Sequence, residues 1–168
     1  DKTQCVVQRP LTTYTQELCQ ILEPNVSTTK ERVQVLNIMR DNNIPTVVWL
    51  GPILPFINDT KKNLIGLLNY CIEAKVKGII CFGMGVTMRD GDREYFYKKL
   101  DEHFPGLKEQ YQKKYGLAYD IKSSNNEQLM KIFYDMCNSN NIMCNNDEIF
   151  KYLREFPNQQ EHEQLKLF

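Results

Sequence analysis

The chain lacks an excess of charge of either sign: 21 Lys and Arg residues are balanced by 21 Asp and Glu, and the formal net charge is zero. Without a global field, nothing draws it onto DNA, RNA or an anionic membrane, which excludes nonspecific polyanion binding and leaves at most a local basic patch. Long apolar runs are also missing. Gly, Pro or Asn interrupts each one far short of the roughly 20 residues a membrane-spanning helix needs, so no membrane partner is expected. There are only two histidines, His103 and His162, which rules out a Ser/His/Asp or Cys/His catalytic set built with confidence from spacing. The six cysteines, at 5, 19, 71, 81, 137 and 144, form no C-x-x-C or C-x-x-x-C and are too sparse for a disulfide-stapled secreted scaffold. Cys71 falls in an apolar helical pattern and Cys81 in an apolar strand pattern, where a thiol acts as a small hydrophobe. The expectation is reduced structural cysteines in a cytoplasmic protein, with Asn25-Val-Ser27 and Asn58-Asp-Thr60 as chance glycosylation matches. Asp1-Lys2-Thr3-Gln4 carries neither an initiator Met nor a charged-then-apolar leader, and the chain is expected to continue an upstream segment.

What is present is 42% hydrophobic and 25% charged, a balance that argues against disorder and for one globular domain. Two runs, Ile44–Leu50 and Val76–Phe82, are apolar almost throughout, as central strands of a parallel sheet are when both faces are buried. Gln4–Gln8 is a weaker third strand. Helical patterns alternate with them. Thr28 and Glu31 make a capping box ahead of Val33, Leu36 and Met39. Asn58 or Asp59 is expected to cap a helix carrying Leu64, Leu68, Cys71 and Ile72, and a further helix runs from Asp92 to His103 before Pro105-Gly106. These consecutive βα units predict an α/β fold, a three-unit fragment of a partial parallel (βα) barrel spanning residues 1–116. Residues 117–168 form a C-terminal helical extension, with amphipathic patterns at Glu127–Cys137 and Asp147–Phe156, no strand, and a polar tail from Pro157. Such a fragment leaves a strand edge open to self-association.

In parallel α/β folds, function gathers in the loops after the strands. The first such loop holds Thr12 and Thr13, whose hydroxyls can contact a ribose or carboxylate or simply cap a helix over Tyr14–Glu23. The second, Gly51–Asp59, is stiffened by Pro52 and Pro55 around Ile53. It reads as a stiff turn ending in a helix cap, or as a flat apolar edge for a planar ring with Asn58 in hydrogen-bond range. The third, Gly83–Arg93, has Gly83 and Gly85, which permit close backbone approach, followed by Met84, Arg89 and Arg93. Arg89 can fork onto a carboxylate or phosphate, or pair at the surface with Asp90, Asp92 or Glu94. No metal-ligand spacing occurs, and a non-enzymatic α/β module holding a nucleotide or a partner in these loops is the alternative reading.

The residues Thr12–Pro24, the segment ending Asn42-Asn43-Ile44-Pro45, and Pro52-Ile-Leu-Pro-Phe-Ile-Asn-Asp59 together resemble the later half of radical S-adenosylmethionine proteins of the DNA repair photolyase branch, the spore photoproduct lyase relatives. The resemblance runs from Val6 to about Gly116. It implies the last three strands of a six-stranded partial barrel. It also implies S-adenosylmethionine and a [4Fe–4S] cluster as cofactors, reductive cleavage of the sulfonium, hydrogen abstraction from substrate, and nucleic acid as a partner by family analogy. Carried onto this chain, the cofactor contacts are Thr12, Thr13, Pro52, Ile53, Pro55, Asn58, Gly83 and Met84, and the substrate contacts Arg89 and Arg93. The cluster motif C-x-x-x-C-x-x-C is absent here, so the chain alone is expected to be inactive and to hold neither cofactor firmly. Arg9-Pro10 departs from the apolar strand end of the family.

Overall fold

The computed structural model describes residues 5–155. Strands β1 (Val7–Leu11), β2 (Thr46–Leu50) and β3 (Gly78–Ile80) form a parallel sheet in the order β1-β2-β3. Helices α1 (Gln16–Leu22) and α2 (Thr29–Asp41) connect the first two strands, and α3 (Lys61–Glu73) connects the next two. The sheet is open. Its strands are apolar on both sides because both sides are covered. Val48 and Leu50 pack with Leu36, Leu64 and Leu67 of α2 and α3, joined by Phe133 of α6 (Asn126–Ser139). Val47 and Trp49 point the other way, against Ile80 and against Ile149 and Phe150 of α7 (Asn146–Arg154). Gly78 permits that second contact: a Cβ there would lie 3.1 Å from Ile149 Cγ1.

Both sheet edges are managed. At β3, Met143 adds a parallel bridge to Gly78; Ile79 N donates to Met143 O (2.8 Å), and Met143 N donates to Lys77 O (3.1 Å). At β1, Val7 N donates to Pro45 O and Leu11 O accepts from Gly51 N, so alternation turns Gln8 and Pro10 outward. Pro10 has no N–H to offer, and its carbonyl accepts from Arg32 Nη1 (3.4 Å), itself paired with Glu23 at 3.0 Å. An edge strand carrying Pro is poorly suited to continuous pairing.

A second, smaller unit lies between β3 and α6. Strands β4 (Gly85–Thr87) and β5 (Asp120–Lys122) pair antiparallel and enclose α4 (Asp92–His103) and α5 (Leu107–Tyr115). Its core is Met88, Tyr97, Leu100, Tyr111 and Ile121. Polar ties dock it onto the loop after β2: Tyr111 Oη donates to Pro55 O (2.6 Å), Ser123 Oγ to Asp59 Oδ2 (2.5 Å) and Asn125 Nδ2 to Asp59 O (3.2 Å).

The α2 capping box forms as read: Thr28 N donates to Glu31 Oε2 (2.6 Å), and Glu31 N to Thr28 Oγ1 (3.3 Å). Helix α4 has the expected bounds. Other elements differ. The first strand lies at Val7–Leu11 rather than Gln4–Gln8, because its register against Thr46–Leu50 is set by pairing, and Gln4 lies outside the described residues. The other two strands shorten to Thr46–Leu50 and Gly78–Ile80. Helix α1 runs Gln16–Leu22 with Thr15 at its N-cap position, rather than Tyr14–Glu23 capped by Thr12 and Thr13, and α3 is capped by Thr60, whose hydroxyl accepts from Asn63 N (3.1 Å), rather than by Asn58 or Asp59. The stretch after 120, read as strandless, contains β5, which pairs back to β4; α5 has no counterpart in the sequence reading. The tail from Pro157, His162, and Phe156 at the end of the last amphipathic pattern lie outside the described residues.

Candidate functional site

The exits of β2 and β3 meet the β4–β5 pair at a cleft of about 370 Å³, within the size range of small-molecule sites. Its walls are apolar: Trp49, Pro52, Phe82 and Val86, with backbone at Gly51 and Gly83. Trp49 is the second-last residue of β2 and faces away from α2 and α3; its indole Nε1 donates to Gln8 Oε1 (2.8 Å), which fixes the ring. Phe82 leaves the end of β3 and stays 71% exposed. The two ring centroids are 6.3 Å apart, and Phe150 stands 6.0 Å from Trp49 and 6.4 Å from Phe82. Gly51 and Gly83 adopt φ of +136° and +110°, where side-chain-bearing residues are strained, so each chain reversal beside the cleft requires glycine. The charged groups among the lining residues are Asp120 and Lys122 of β5, 3.9 Å apart on the exposed rim.

Amide side chains, buried at Asn58 and Asn63 and half-buried at Asn126 and Asn146, hold the strand exits, those of Asn126 and Asn146 beside the cleft and that of Asn63 at the exit of β1 away from it. Asn58 Oδ1 accepts from Leu54 N while its Nδ2 donates to Thr12 O (2.9 Å) and Pro52 O (3.4 Å), joining the loops after β1 and β2. Asn63 Oδ1 accepts from Tyr14 N (2.7 Å), and its Nδ2 donates to Thr12 O (3.3 Å). Asn126 Oδ1 accepts from Met84 N (2.8 Å). Asn146 Oδ1 accepts from Cys81 N (3.2 Å), and its Nδ2 donates to Cys81 O (2.9 Å). A buried backbone group without a partner is costly, and side chains that meet this need at a strand exit give the exit one conformation.

Of the ten proposed contact residues, Pro52 and Gly83 line the cleft, and so does Gly85, read from the sequence as a point of close backbone approach. Ile53, Pro55 and Met84 are buried in the packing behind it, and the Asn58 amide is committed to backbone. Thr12 and Thr13 are buried at the exit of β1; their carbonyls accept from Asn58 and Thr29, and their hydroxyls have no hydrogen-bond partner within the protein. Arg89 is exposed on the turn after β4. The Arg93 guanidinium donates to the carbonyls of Gly116 (3.2 Å), Leu117 (3.2 Å) and Ala118 (2.8 Å), closing the end of α5. The structure therefore brings two of the ten onto one surface and leaves the rest as support or apart. Trp49, Phe82, Asn126 and Asn146 escaped the sequence reading. A Trp one residue before a strand end, on the face opposite Val48 and Leu50, was the available signal for the first; nothing local marks the two asparagines.

Cys71, Cys81 and Cys137 are buried, and burial drives each thiol pKa upward, that of Cys137 to about 12. Protonated thiols are poor metal ligands. Among the described residues no group of three or more His, Cys, Asp or Glu side chains is placed to hold a metal ion, and no helix is long and apolar enough to cross a membrane. A larger groove of about 550 Å³ runs between α1 and α4, walled by Ile21, Leu22, Tyr95, Phe96 and Phe104, with Lys99 and His103 on the α4 side. It lies away from the strand exits, and Lys99 is already paired with Glu102. No family model, curated protein or solved structure matches the chain.

Proposed function

We propose that this chain forms the later wall of the cofactor chamber of a radical S-adenosylmethionine enzyme resembling DNA repair photolyases, and that its three strands continue a larger partial (βα) barrel. The observation that carries this reading is the cleft at the exits of β2 and β3, two adjacent strands of a parallel sheet, which bears Pro52 of the motifs behind the resemblance and Gly83, a contact carried over with it. Its aromatic and proline walls suit the adenosine portion of S-adenosylmethionine, which when bound supplies the radical chemistry. In this reading Trp49, Pro52 and Phe82 bind and orient the base, the Gly83 backbone approaches it closely, and Asp120 and Lys122 face the open side where substrate enters.

The iron–sulfur cluster does not fit the residues described here. Cys19, Cys71, Cys81 and Cys137 are buried out of common reach of one metal ion, and among the described residues no three ligands converge. Cluster ligation therefore belongs to a segment of the parent polypeptide preceding β1, and no step is derived through it. Where that segment joins the sheet, the outer edge of β1 offers it the backbone of Gln8, while Pro10 lacks an N–H and its carbonyl is held by Arg32, so pairing there is partial. The photolyase-like activity and nucleic acid as partner follow from the resemblance alone. The test is iron analysis and a reductive S-adenosylmethionine cleavage assay on the product of the complete reading frame. Bound iron with 5′-deoxyadenosine formation supports the reading. A reading frame without a three-cysteine motif upstream of Asp1 overturns it.

A further inference from the structure

We infer that Asn126 and Asn146 are positioning residues for the cleft, gripping the Cys81–Met84 turn from its two ends so that Phe82 and Gly83 stand where a ligand meets them. The turn leaves β3 and must present an exposed aromatic ring and a glycine at φ +110°, with no regular pairing of its own beyond Ile80. Asn146, the first residue of α7, substitutes for a neighbouring strand: its amide takes both backbone groups of Cys81, one bond as donor and one as acceptor. Asn126, the first residue of α6, takes Met84 N at 2.8 Å, and its Oδ1 would lie 3.2 Å from a Cβ on Gly83. Between the clamped ends, Phe82 packs on Trp49 and Phe150. Both clamps come from the chain after residue 116, which also contributes Asp120 and Lys122 to the rim. That segment therefore shapes the site rather than decorating the outside of the βα units. The inference concerns the geometry of the cleft and deepens the cofactor-wall reading, which supplies its purpose.

The chemistry of the two amides differs, and this makes the inference testable without any ligand. Asn126 is used here as an acceptor alone, so Asn126→Asp keeps its bond, whereas Asn126→Ala removes it. Asn146 is used as both donor and acceptor, so Asn146→Asp loses the donor and sets a carboxylate against Cys81 O. The chain has a single Trp, and it lies in the cleft, so Trp49 fluorescence reads the site directly. Acrylamide quenching is measured on the full chain under conditions where each variant keeps its far-UV circular dichroism. Asn63→Ala serves as the comparison, since it removes a buried amide of the same kind that touches neither the turn nor the cleft.

The expected result is a quenching constant raised about twofold, with red-shifted emission, in Asn126→Ala and Asn146→Asp, as a freed ring opens the indole to solvent. Asn126→Asp is expected to match the native protein, and so is Asn63→Ala, although the latter is less stable. The inference is overturned by Trp49 quenching unchanged in Asn126→Ala, by an equal rise in Asn63→Ala, or by Asn126→Asp behaving like Asn126→Ala. None of these readings depends on S-adenosylmethionine, so failure of the positioning role and failure of the cofactor assignment are distinguishable.

Discussion

The parallel-sheet unit buries Leu, Ile and Val on strands of up to five residues, whereas the unit between β4 and β5 buries Tyr97, Tyr111 and Met88 beneath strands of three. In the first, helices lie over both faces of the sheet, and nearly every core contact is aliphatic. In the second, phenol hydroxyls and a guanidinium reach backbone carbonyls far along the chain: Tyr111 to Pro55, Tyr115 Oη to Lys122 O (2.9 Å), Arg93 to residues 116–118. Hydrophobic area drives the first; specific, distance-dependent bonds place the second. The cleft sits where they meet, with Trp49, Pro52 and Phe82 from one and Val86, Asp120 and Lys122 from the other.

The largest expected effect is in the sheet unit. Phe133→Ala empties a fully buried site touching both α3 and the sheet, and is expected to cost about 3–5 kcal/mol in urea unfolding, against about 2–3 kcal/mol for Leu100→Ala in the smaller core, which can close over the loss. Equal costs would erase the contrast. Next come two glycines. A Cβ on Gly85 would lie 2.3 Å from Ile121 O, a backbone atom of its pairing strand, whereas on Gly66 it would meet the Tyr14 ring at 2.3 Å. A ring swings aside more readily than a strand, so Gly85→Ala should destabilise the protein more than Gly66→Ala in urea unfolding, at about 1–3 kcal/mol for the overpacked strand.

A smaller effect tests the joint. Tyr111→Phe deletes the bond to Pro55 O and is expected to cost about 1 kcal/mol and to broaden the unfolding transition as the units uncouple. An unchanged midpoint and slope would show that apolar contact alone seats the smaller unit. The smallest effect is in pH. The buried thiol of Cys137 is pushed up to about 12, while an unfolded thiol titrates near ~8.5. Above pH ~8.5 the unfolded chain releases this proton first and so holds fewer protons than the folded chain, which means stability falls as pH rises through this window toward 12. Burial raises the thiol of Cys71 in the same direction. Cys137→Ala should flatten that decline, whatever its own stability at neutral pH.

The same contrast explains what was legible in the sequence. Continuous apolar runs around Val47–Leu50 and Ile79–Ile80 announce strands buried on both faces, and the Thr28/Glu31 box marks a helix start because its chemistry is local. Strand bounds slipped by two or three residues because register comes from pairing with another strand. The short strands β4 and β5 carry no two-residue periodicity long enough to read, and their pairing joins residues 85–87 to 120–122 across two helices. Pro52 and Gly83 follow β2 and β3 and line the cleft, whereas Thr12 and Thr13 follow β1 and do not, so position after a strand narrows the search without settling it. Asn58 was readable as important but not as structural, because its partners Thr12 O and Leu54 N are chosen by the fold. Asn126 and Asn146 act across 42 and 65 residues of sequence and leave no local trace.

The most direct measurement is photolabelling of the complete protein with an azido-adenine analogue of S-adenosylmethionine, followed by peptide mapping. The account predicts that label falls on residues 49–52 and 82–86 and is displaced by unlabelled S-adenosylmethionine. Displaceable label confined to the α1–α4 groove, or absent from this chain while the cofactor is demonstrably bound, would contradict it.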